Sequence, residues 1–264
     1  MEKPLLLDLD GRLAVITLNR PDALNRISPE MVELFIEALL ECHENPAVHV
    51  IIITGAGSAF CHGGDVNRLG QTAGSVLTPL EIKEGFRQGL HRLALTLERI
   101  DKPVIAAVNG IASGAGVDFA LQADVRFAAD SASFRVTYAL FGLVPGNGGT
   151  YFLPRLVGES KALELFWSAE PVDPQEALRI GLVNKVFPAA SLMEETKKWA
   201  NVVADMAPLS VRMIKRSVRQ GRNLTLETTL ELISSHMAIA RSSHDHIEGI
   251  RAYQEQRKPR FEGR

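Results

Sequence analysis

Cysteine is scarce in this sequence: the 264 residues include only Cys42 and Cys61. Two thiols cannot build a disulfide framework, and free thiols are typical of proteins in a reducing cytoplasm. Long apolar runs are also missing, since none reaches the roughly 18 residues that a membrane-spanning helix needs. The N-terminal apolar run is too short, and its flanks are too acidic, for a signal peptide. We therefore expect a cytoplasmic protein that has no membrane partner.

An excess of charge of one sign is absent as well. Lysine and arginine number 29 against 31 aspartates and glutamates, which gives a net charge of −2. Such a balance provides no general attraction to nucleic acid, so we expect no nucleic-acid partner. The glycine fingerprints of nucleotide-binding loops are missing too. His244 and His246 lie two residues apart on a predicted helix and cannot face one ion, so no metal site is expected.

The N-terminal third carries clear signals of local structure. Residues 5–10 and 12–19 are apolar-rich and flank Asp10-Gly11, which predicts a β-hairpin. Ser28 followed by Pro29 predicts the start of a helix, with the serine as its N-cap.

The middle of the chain repeats one pattern, an apolar run followed by turn residues and a helical segment. Runs that are apolar on both faces predict buried, parallel strands, so the fold class is α/β with right-handed crossovers. The four predicted strands are 48–54, 103–108, 124–129 and 182–187. The helical patterns between them are 81–99, 114–122 and 159–167.

The C-terminal part is predicted to be entirely helical, so the pattern changes from mixed strands and helices to helices alone near residue 200. We divide the chain into a core, 1–195, and a helical region, 196–264. Four apolar side chains recur at helical spacing in this region: Leu226, Leu230, Ile233 and Met237. A small appendage cannot bury such a stripe alone, which predicts an oligomer.

Three glycine-rich turns each follow a predicted buried strand. They are residues 60–65 (FCHGGD), 111–116 (IASGAG) and 145–150 (PGNGGT). A single turn of this kind would be explained by the backbone freedom of glycine. Ligands of open α/β proteins bind at the carboxyl ends of the strands, however, and small residues let a backbone N–H approach a ligand. The three turns therefore predict a binding site.

These turns and the segments around them resemble the crotonase superfamily, the enoyl-CoA hydratase/isomerase fold. The resemblance implies an α/β fold in which a spiral of ββα units carries a C-terminal helical trimerisation region. It also implies an acyl-CoA substrate, a homotrimer or a dimer of trimers, and no cofactor beyond the coenzyme A of the substrate. The similar segments are 16–28, 51–66, 102–134, 141–158, 176–188 and 248–261.

In this family two backbone amides polarise the thioester carbonyl and stabilise the enolate that forms during the reaction. The resemblance assigns these amides to Gly64 and Ala115. Coenzyme A contacts are expected along residues 22–26 and 60–64 and at the three turns. The expected contact residues are Ala23, Leu24, Arg26, Phe60, His62, Gly63, Asp65, Gly114 and Gly146.

The acid/base residues depart from the family pattern. Where hydratases have two glutamates, this chain has Asp118 and Tyr138. Ring-isomerising relatives have an aspartate after the proline of the third turn, where this chain has Gly146. Asp118 is therefore the expected carboxylate and Tyr138 the group opposite it. His62 is a further candidate proton carrier, since the ordinary pKa of histidine is near neutral.

The expected function is hydration or double-bond isomerisation of an enoyl-CoA. A hydratase must activate water and deliver a proton, usually with two groups, whereas an isomerase needs one shuttling base. Loss of both family glutamates leaves a second hypothesis open, a non-catalytic homologue that binds acyl-CoA or RNA. A serine hydrolase based on Ser113 is a third, although the G-x-S-x-G motif is missing.

Overall fold

The computed structural model describes residues 3–64 and 77–264. Its strands are β1 (Leu5–Asp10), β2 (Leu13–Leu18), β3 (Val50–Gly55), β4 (Ala59–Cys61), β5 (Val104–Val108), β6 (Ile111–Ser113), β7 (Val125–Ala129), β8 (Ser133–Arg135) and β9 (Lys185–Phe187). Its described α-helices are α1 (Pro29–Glu44), α2 (Pro79–Gln88), α3 (Leu90–Arg99), α4 (Ala115–Gln122), α5 (Gly149–Val157), α6 (Glu159–Ser168), α7 (Pro174–Arg179), α8 (Leu192–Ala204), α9 (Pro208–Gly221), α10 (Leu226–Arg241) and α11 (His244–Gln254).

A six-stranded sheet forms the centre of the fold, in the order β1-β2-β3-β5-β7-β9. β1 and β2 pair antiparallel as the predicted hairpin, and every other neighbouring pair is parallel. The predicted parallel strands are thus confirmed. β3 and β5 are almost wholly buried, as their two-sided apolar character required. The side chain of Ser28 accepts a hydrogen bond from the Met31 N–H, which confirms the predicted N-cap of α1.

A second sheet of three parallel strands, β4-β6-β8, runs beside the first. Each of its strands follows directly on a strand of the large sheet, so β3-β4, β5-β6 and β7-β8 are successive turns of one spiral. This is the spiral of ββα units that the resemblance implied. The first two glycine-rich turns begin in β4 and β6 and are therefore brought to the same edge.

The helix predicted over 81–99 is wrong in one respect: it is two helices, α2 and α3. They meet at Gly89, whose φ of −109° and ψ of −105° lie outside the helical region. Helix α4, in contrast, agrees with the predicted 114–122 to within one residue and is buried along its whole length.

The C-terminal helices differ in how they contact the core. α8 packs across β2, β3, β5 and β7, and its Thr196 and Ala200 are fully buried. The boundary drawn between residues 195 and 196 therefore falls inside a helix that covers the large sheet. α9 is attached to the core by ion pairs from Lys215 and Arg219 to Asp124. α10 has no fully buried residue in the described chain, although it packs against α9. No helix in the described part of the chain has the length and apolar character needed to cross a membrane.

Candidate active site

The first and second glycine-rich turns lie directly against each other. Gly63 has a φ of +73°, and a Cβ on it would be 2.6 Å from the Ser113 carbonyl oxygen and 3.3 Å from the Ala115 nitrogen. A Cβ on Gly116 would overlap the carbonyl oxygen of Cys61. Glycine is required at both positions because no side chain would leave room for the turns to meet.

Gly64 and Ala115, the predicted amide donors, are next to this contact. Gly64 is exposed, and Ala115 is the first residue of α4, with 9% of its surface accessible. The first N–H groups of a helix have no acceptor within the helix. Within residues 3–64 and 77–264, neither the Gly64 N–H nor the Ala115 N–H has a hydrogen-bond partner. Both donors are thus available at one edge of the small sheet, near the positive end of the α4 dipole.

Residues 20–27 form a wall beside the first turn. The His62 N–H donates to the Leu24 carbonyl, and the Ile27 N–H donates to the Gly63 carbonyl. Fully buried Asn25 holds this wall in place, donating from Nδ2 to the Ala56 and Ala59 carbonyls. Sequence reasoning did not select Asn25, although an asparagine within a turn-rich segment is a usual structural link.

The predicted coenzyme A contacts occupy different environments. Ala23, Leu24 and His62 are half-buried along the wall and the first turn. Arg26 is half-buried as well, and its Nε is buried without a hydrogen-bond partner in the described residues. Phe60 is fully buried, so its side chain belongs to the core and only its backbone can face a ligand.

The remaining predicted contacts lie at the turns. Gly114 is buried with a φ of +52°, next to the Thr137 hydroxyl. Gly146 is half-buried in the third turn. Asp65 lies outside the described residues.

Asp118 and Tyr138 are brought together, although 20 residues separate them in the chain. The Tyr138 hydroxyl donates to Asp118 Oδ2 over 2.6 Å. Asp118 is in the first turn of α4, three residues after Ala115, and has 1% of its surface exposed. The carboxylate and the predicted amide donors are therefore carried by the same helix end.

Burial raises the pKa of Asp118 from 3.8 to about 6. The Tyr138 hydrogen bond and the backbone amides of Asn147 and Gly149 oppose this increase in the pKa. Even so, Asp118 Oδ1 has no fully formed hydrogen bond in the described chain. Burial, together with the Asp118 charge, raises the pKa of Tyr138 far above its ordinary value, so its hydroxyl keeps its proton. A carboxyl group that titrates near neutrality can both accept and return a proton.

The third glycine-rich turn closes over Asp118. Gly149 packs against Asp118 so closely that a Cβ there would overlap Oδ1. Gln122 Nε2 donates to the Asn147 carbonyl over 2.8 Å, and His91 Nε2 lies 2.9 Å from the Gly146 carbonyl oxygen. Sequence reasoning selected none of Gln122, Asn147 and His91, because their roles depend on contacts between distant segments. The asparagine within the PGNGGT turn was the one signal available.

No group of three or more histidine, cysteine, aspartate or glutamate side chains in the described residues is arranged to hold a metal ion. The arrangement instead combines two backbone donors with one buried carboxyl group. Such a site can stabilise negative charge on an oxygen while a proton moves on or off a neighbouring carbon.

Comparison with known proteins gives consistent results. The sequence model described as enoyl-CoA hydratase/isomerase matches residues 9–264. A crotonyl-CoA hydratase of Syntrophomonas wolfei is 35% identical over 260 residues, covering 97% of each chain. A 1,2-epoxyphenylacetyl-CoA isomerase of Escherichia coli is 30% identical over 262 residues, covering 98% of each chain. The crystal structure of an enoyl-CoA hydratase from Bacillus anthracis has a TM-score of 0.92 and 33% identity, covering 99% of this chain and 100% of that one.

Proposed function

The chain belongs to the enoyl-CoA hydratase/isomerase family, and we propose that within it Asp118 moves a proton at the carbon next to the thioester carbonyl. The protein is an acyl-CoA enzyme of the hydratase/isomerase type. The observation that supports the proposed role is the position of Asp118, buried and titratable, in the first turn of the helix that begins with Ala115.

In this proposal the amides of Gly64 and Ala115 bind the thioester oxygen. Removing a proton from the neighbouring carbon leaves an enolate, whose charge rests largely on that oxygen. Preorganised backbone donors stabilise such charge by about 3 kcal/mol each. The contact between Gly63 and Ser113 supports the proposal, since it places the two donors in adjoining turns.

Double-bond isomerisation is the reaction that the geometry favours. Asp118 takes a proton from one carbon of the acyl chain, the double bond shifts through the enolate, and the same carboxyl group returns the proton to another carbon. The reaction needs one base with a pKa near neutrality, and the pKa of Asp118 is about 6. Tyr138 cannot act as a second base, because its hydroxyl remains protonated.

The third turn lacks the aspartate that ring-isomerising enzymes of the family are expected to use. Ring-isomerising relatives are expected to have an aspartate at the position of Gly146. A Cβ at Gly146 would be 2.7 Å from the Phe86 ring, so Phe86 occupies the space that such a side chain would need. The proposal therefore assigns the proton transfer to Asp118 alone.

Hydration is the second candidate, and the names of the relatives favour it. The Syntrophomonas wolfei relative is a crotonyl-CoA hydratase, and the Bacillus anthracis structure is an enoyl-CoA hydratase. In that reaction Asp118 would accept a proton from water as the water oxygen bonds to the β-carbon. The same carboxyl group would then deliver the proton to the α-carbon.

A panel of 2-enoyl- and 3-enoyl-CoA thioesters, followed by chromatography and mass spectrometry, separates the candidates. Hydration adds one water to the mass, whereas isomerisation moves the double bond at constant mass. Asp118→Asn should slow formation of either product by about 10²–10⁴. Asp8→Asn, at an exposed aspartate on β1, is the matched control. Full turnover in Asp118→Asn would overturn the proposal.

We further propose that coenzyme A lies along residues 22–26, with Arg26 facing a phosphate. The buried Nε of Arg26 lacks a partner in the described chain, and an anion would provide one.

No separate cofactor is proposed. The non-catalytic and RNA-binding hypotheses are not favoured, because the relatives are named for reactions of CoA thioesters. Membership of the same family also argues against the hypothesis of a Ser113 hydrolase. The unpaired thiols of Cys42 and Cys61 support a cytoplasmic location.

A homotrimer, or a pair of trimers, completes the proposal. The predicted stripe on α10 is solvent-exposed in the single chain: Leu226 by 74%, Leu230 by 54% and Met237 by 60%. Contiguous apolar surface of this kind usually marks a protein–protein interface. Light scattering at micromolar concentration tests the assembly, and a stable monomer would contradict it.

A further inference from the structure

We propose that His91 is a positioning residue for the catalytic carboxylate. Through one peptide unit it holds the third glycine-rich turn so that the Asn147 N–H points towards Asp118. The inference rests on the proposed role of Asp118 as the proton-transferring group.

The geometry of the Gly146–Asn147 peptide carries the argument. His91 Nε2 lies 2.9 Å from the Gly146 carbonyl oxygen and must be the donor, since a carbonyl only accepts. The described chain has no cis peptide bonds, so the C=O and N–H of this unit point in opposite directions. The C=O faces His91, so the N–H, which belongs to Asn147, points away from His91. The turn that carries this amide packs on Asp118 at Gly149, and the amide helps to lower the pKa of Asp118 without forming a full hydrogen bond to it. A hydrogen bond on one side of the peptide thus fixes the donor on the other side.

The turn needs such anchors because residues 143–148 have no regular secondary structure. Gln122 provides a second one, donating to the next carbonyl, that of Asn147. Two successive carbonyls are therefore held from two different helices, α3 and α4. Gly149 completes the contact by packing against Asp118 Oδ1.

The break at Gly89 allows two side chains to contact the third glycine-rich turn. Phe86 and His91 are five residues apart, which on a continuous α-helix would place them about 140° apart around the axis. The break between α2 and α3 instead lets both side chains reach Gly146, with their ring centroids 5.9 Å apart. Phe86 packs on the Cα of Gly146 while His91 binds its carbonyl.

Few other groups can titrate beside Asp118. Tyr138 is the titratable side chain in contact with it in the described chain, and the Cys61 thiol lies near Tyr138. Burial raises the pKa of Cys61 to about 12 and the pKa of Tyr138 even further above its usual range. Neither of these two groups therefore titrates near neutral pH. Because His62 and His91 also lie at the site, the transition is assigned to Asp118 by the carboxyl band itself.

The test compares His91→Leu, which lacks a donor, with His91→Gln, whose amide nitrogen can reach the same carbonyl. Neither replacement titrates, so their difference isolates the hydrogen bond. The Asp118 carboxyl is followed by infrared spectroscopy of protein labelled with ¹³C-aspartate, and its band is assigned by its loss in Asp118→Asn. We expect His91→Leu to raise the pKa of Asp118 by about half a unit to one unit. His91→Gln should restore the wild-type value.

Kinetics provide the second readout. In His91→Leu the acid limb of the kcat/KM profile should move to higher pH together with the infrared transition. At a pH below the pKa, kcat/KM should therefore fall by up to about tenfold. KM should change little, because the Gly64 and Ala115 amides remain. A structural role alone would lower activity equally at all pH values. If His91→Leu fails to fold, His91→Phe, which keeps the ring shape without a donor, replaces it.

An unchanged Asp118 transition in the folded donor-free variant would overturn the inference, as would a His91→Gln protein that behaves like His91→Leu. The infrared measurement needs no substrate, so it remains valid if the proposed reaction is wrong. Full activity in Asp118→Asn with a shifted infrared transition would reject the proposed function while leaving the positioning effect in place.

Discussion

Removing the Tyr138 hydroxyl is the most direct way to test how the protein sets the pKa of Asp118. The hydroxyl donates to Oδ2 over 2.6 Å inside the protein, and Oδ1 has no fully formed hydrogen bond in the described residues. Tyr138→Phe therefore removes the best hydrogen bond of the carboxylate. Because the ring is kept, the packing of the site changes little.

The size of the effect follows from that hydrogen bond. A hydrogen bond to a charged group is worth about 1.5–3 kcal/mol, and one pKa unit corresponds to about 1.4 kcal/mol. The pKa of Asp118, about 6 in the native protein, should therefore rise by about one to two units. At pH 7 the ionised fraction of Asp118 would fall from about nine-tenths to between about a half and a tenth. We expect kcat/KM at pH 7 to fall about two- to tenfold and to recover above about pH 9.

The assay is the pH profile of kcat/KM between about pH 5 and pH 10, on a substrate that the wild type processes well. Tyr253→Phe is the matched control, because that tyrosine is 85% exposed. Its acid limb should coincide with that of the wild type. A Tyr138→Phe enzyme that is folded and active but has an unshifted acid limb would refute the reasoning, and Asp118 would not be the titrating group.

Three further variants test other parts of the structure. Asp118→Asn should lower turnover by about 10²–10⁴ while substrate binding, measured by calorimetry, changes little. The same change should increase the free energy of unfolding at pH 8 by up to about 3 kcal/mol, because the folded-state pKa is raised from 3.8 to about 6. The folded state binds more protons than the unfolded state between these values, so wild-type stability falls as the pH rises through this window. Urea titrations at pH 4 and pH 8 would contradict this if the variant gained equally at both. Gly63→Ala should destabilise the protein by about 1–3 kcal/mol, since its positive φ and the Ser113 carbonyl leave no room for a methyl group. An unchanged melting temperature would argue against that contact. Leu230→Glu should shift the assembly towards monomer by light scattering, and an unaltered oligomer would remove α10 from the interface.

The large sheet could be predicted from the sequence because its signals are local. Residues such as those of β3 and β5 are apolar on both faces, and short runs of this kind are typical of buried parallel strands. The hairpin around Asp10-Gly11 and the Ser28 cap depend on residues adjacent in the chain, so they too were predicted correctly. The three glycine-rich turns were identifiable for the same reason.

The tertiary structure alone decided how these turns are arranged. β4, β6 and β8 have three residues each, too few for any periodicity, and they exist because neighbouring turns of the spiral pair with each other. The break at Gly89 was missed because the apolar spacing continues through it. The resemblance to the family placed Tyr138 opposite Asp118, but the approach of Asn147 and His91 at the third turn depends on segments far apart in the chain. A pKa is set by burial and by such neighbours, and neither is a property of the residue's position in the sequence.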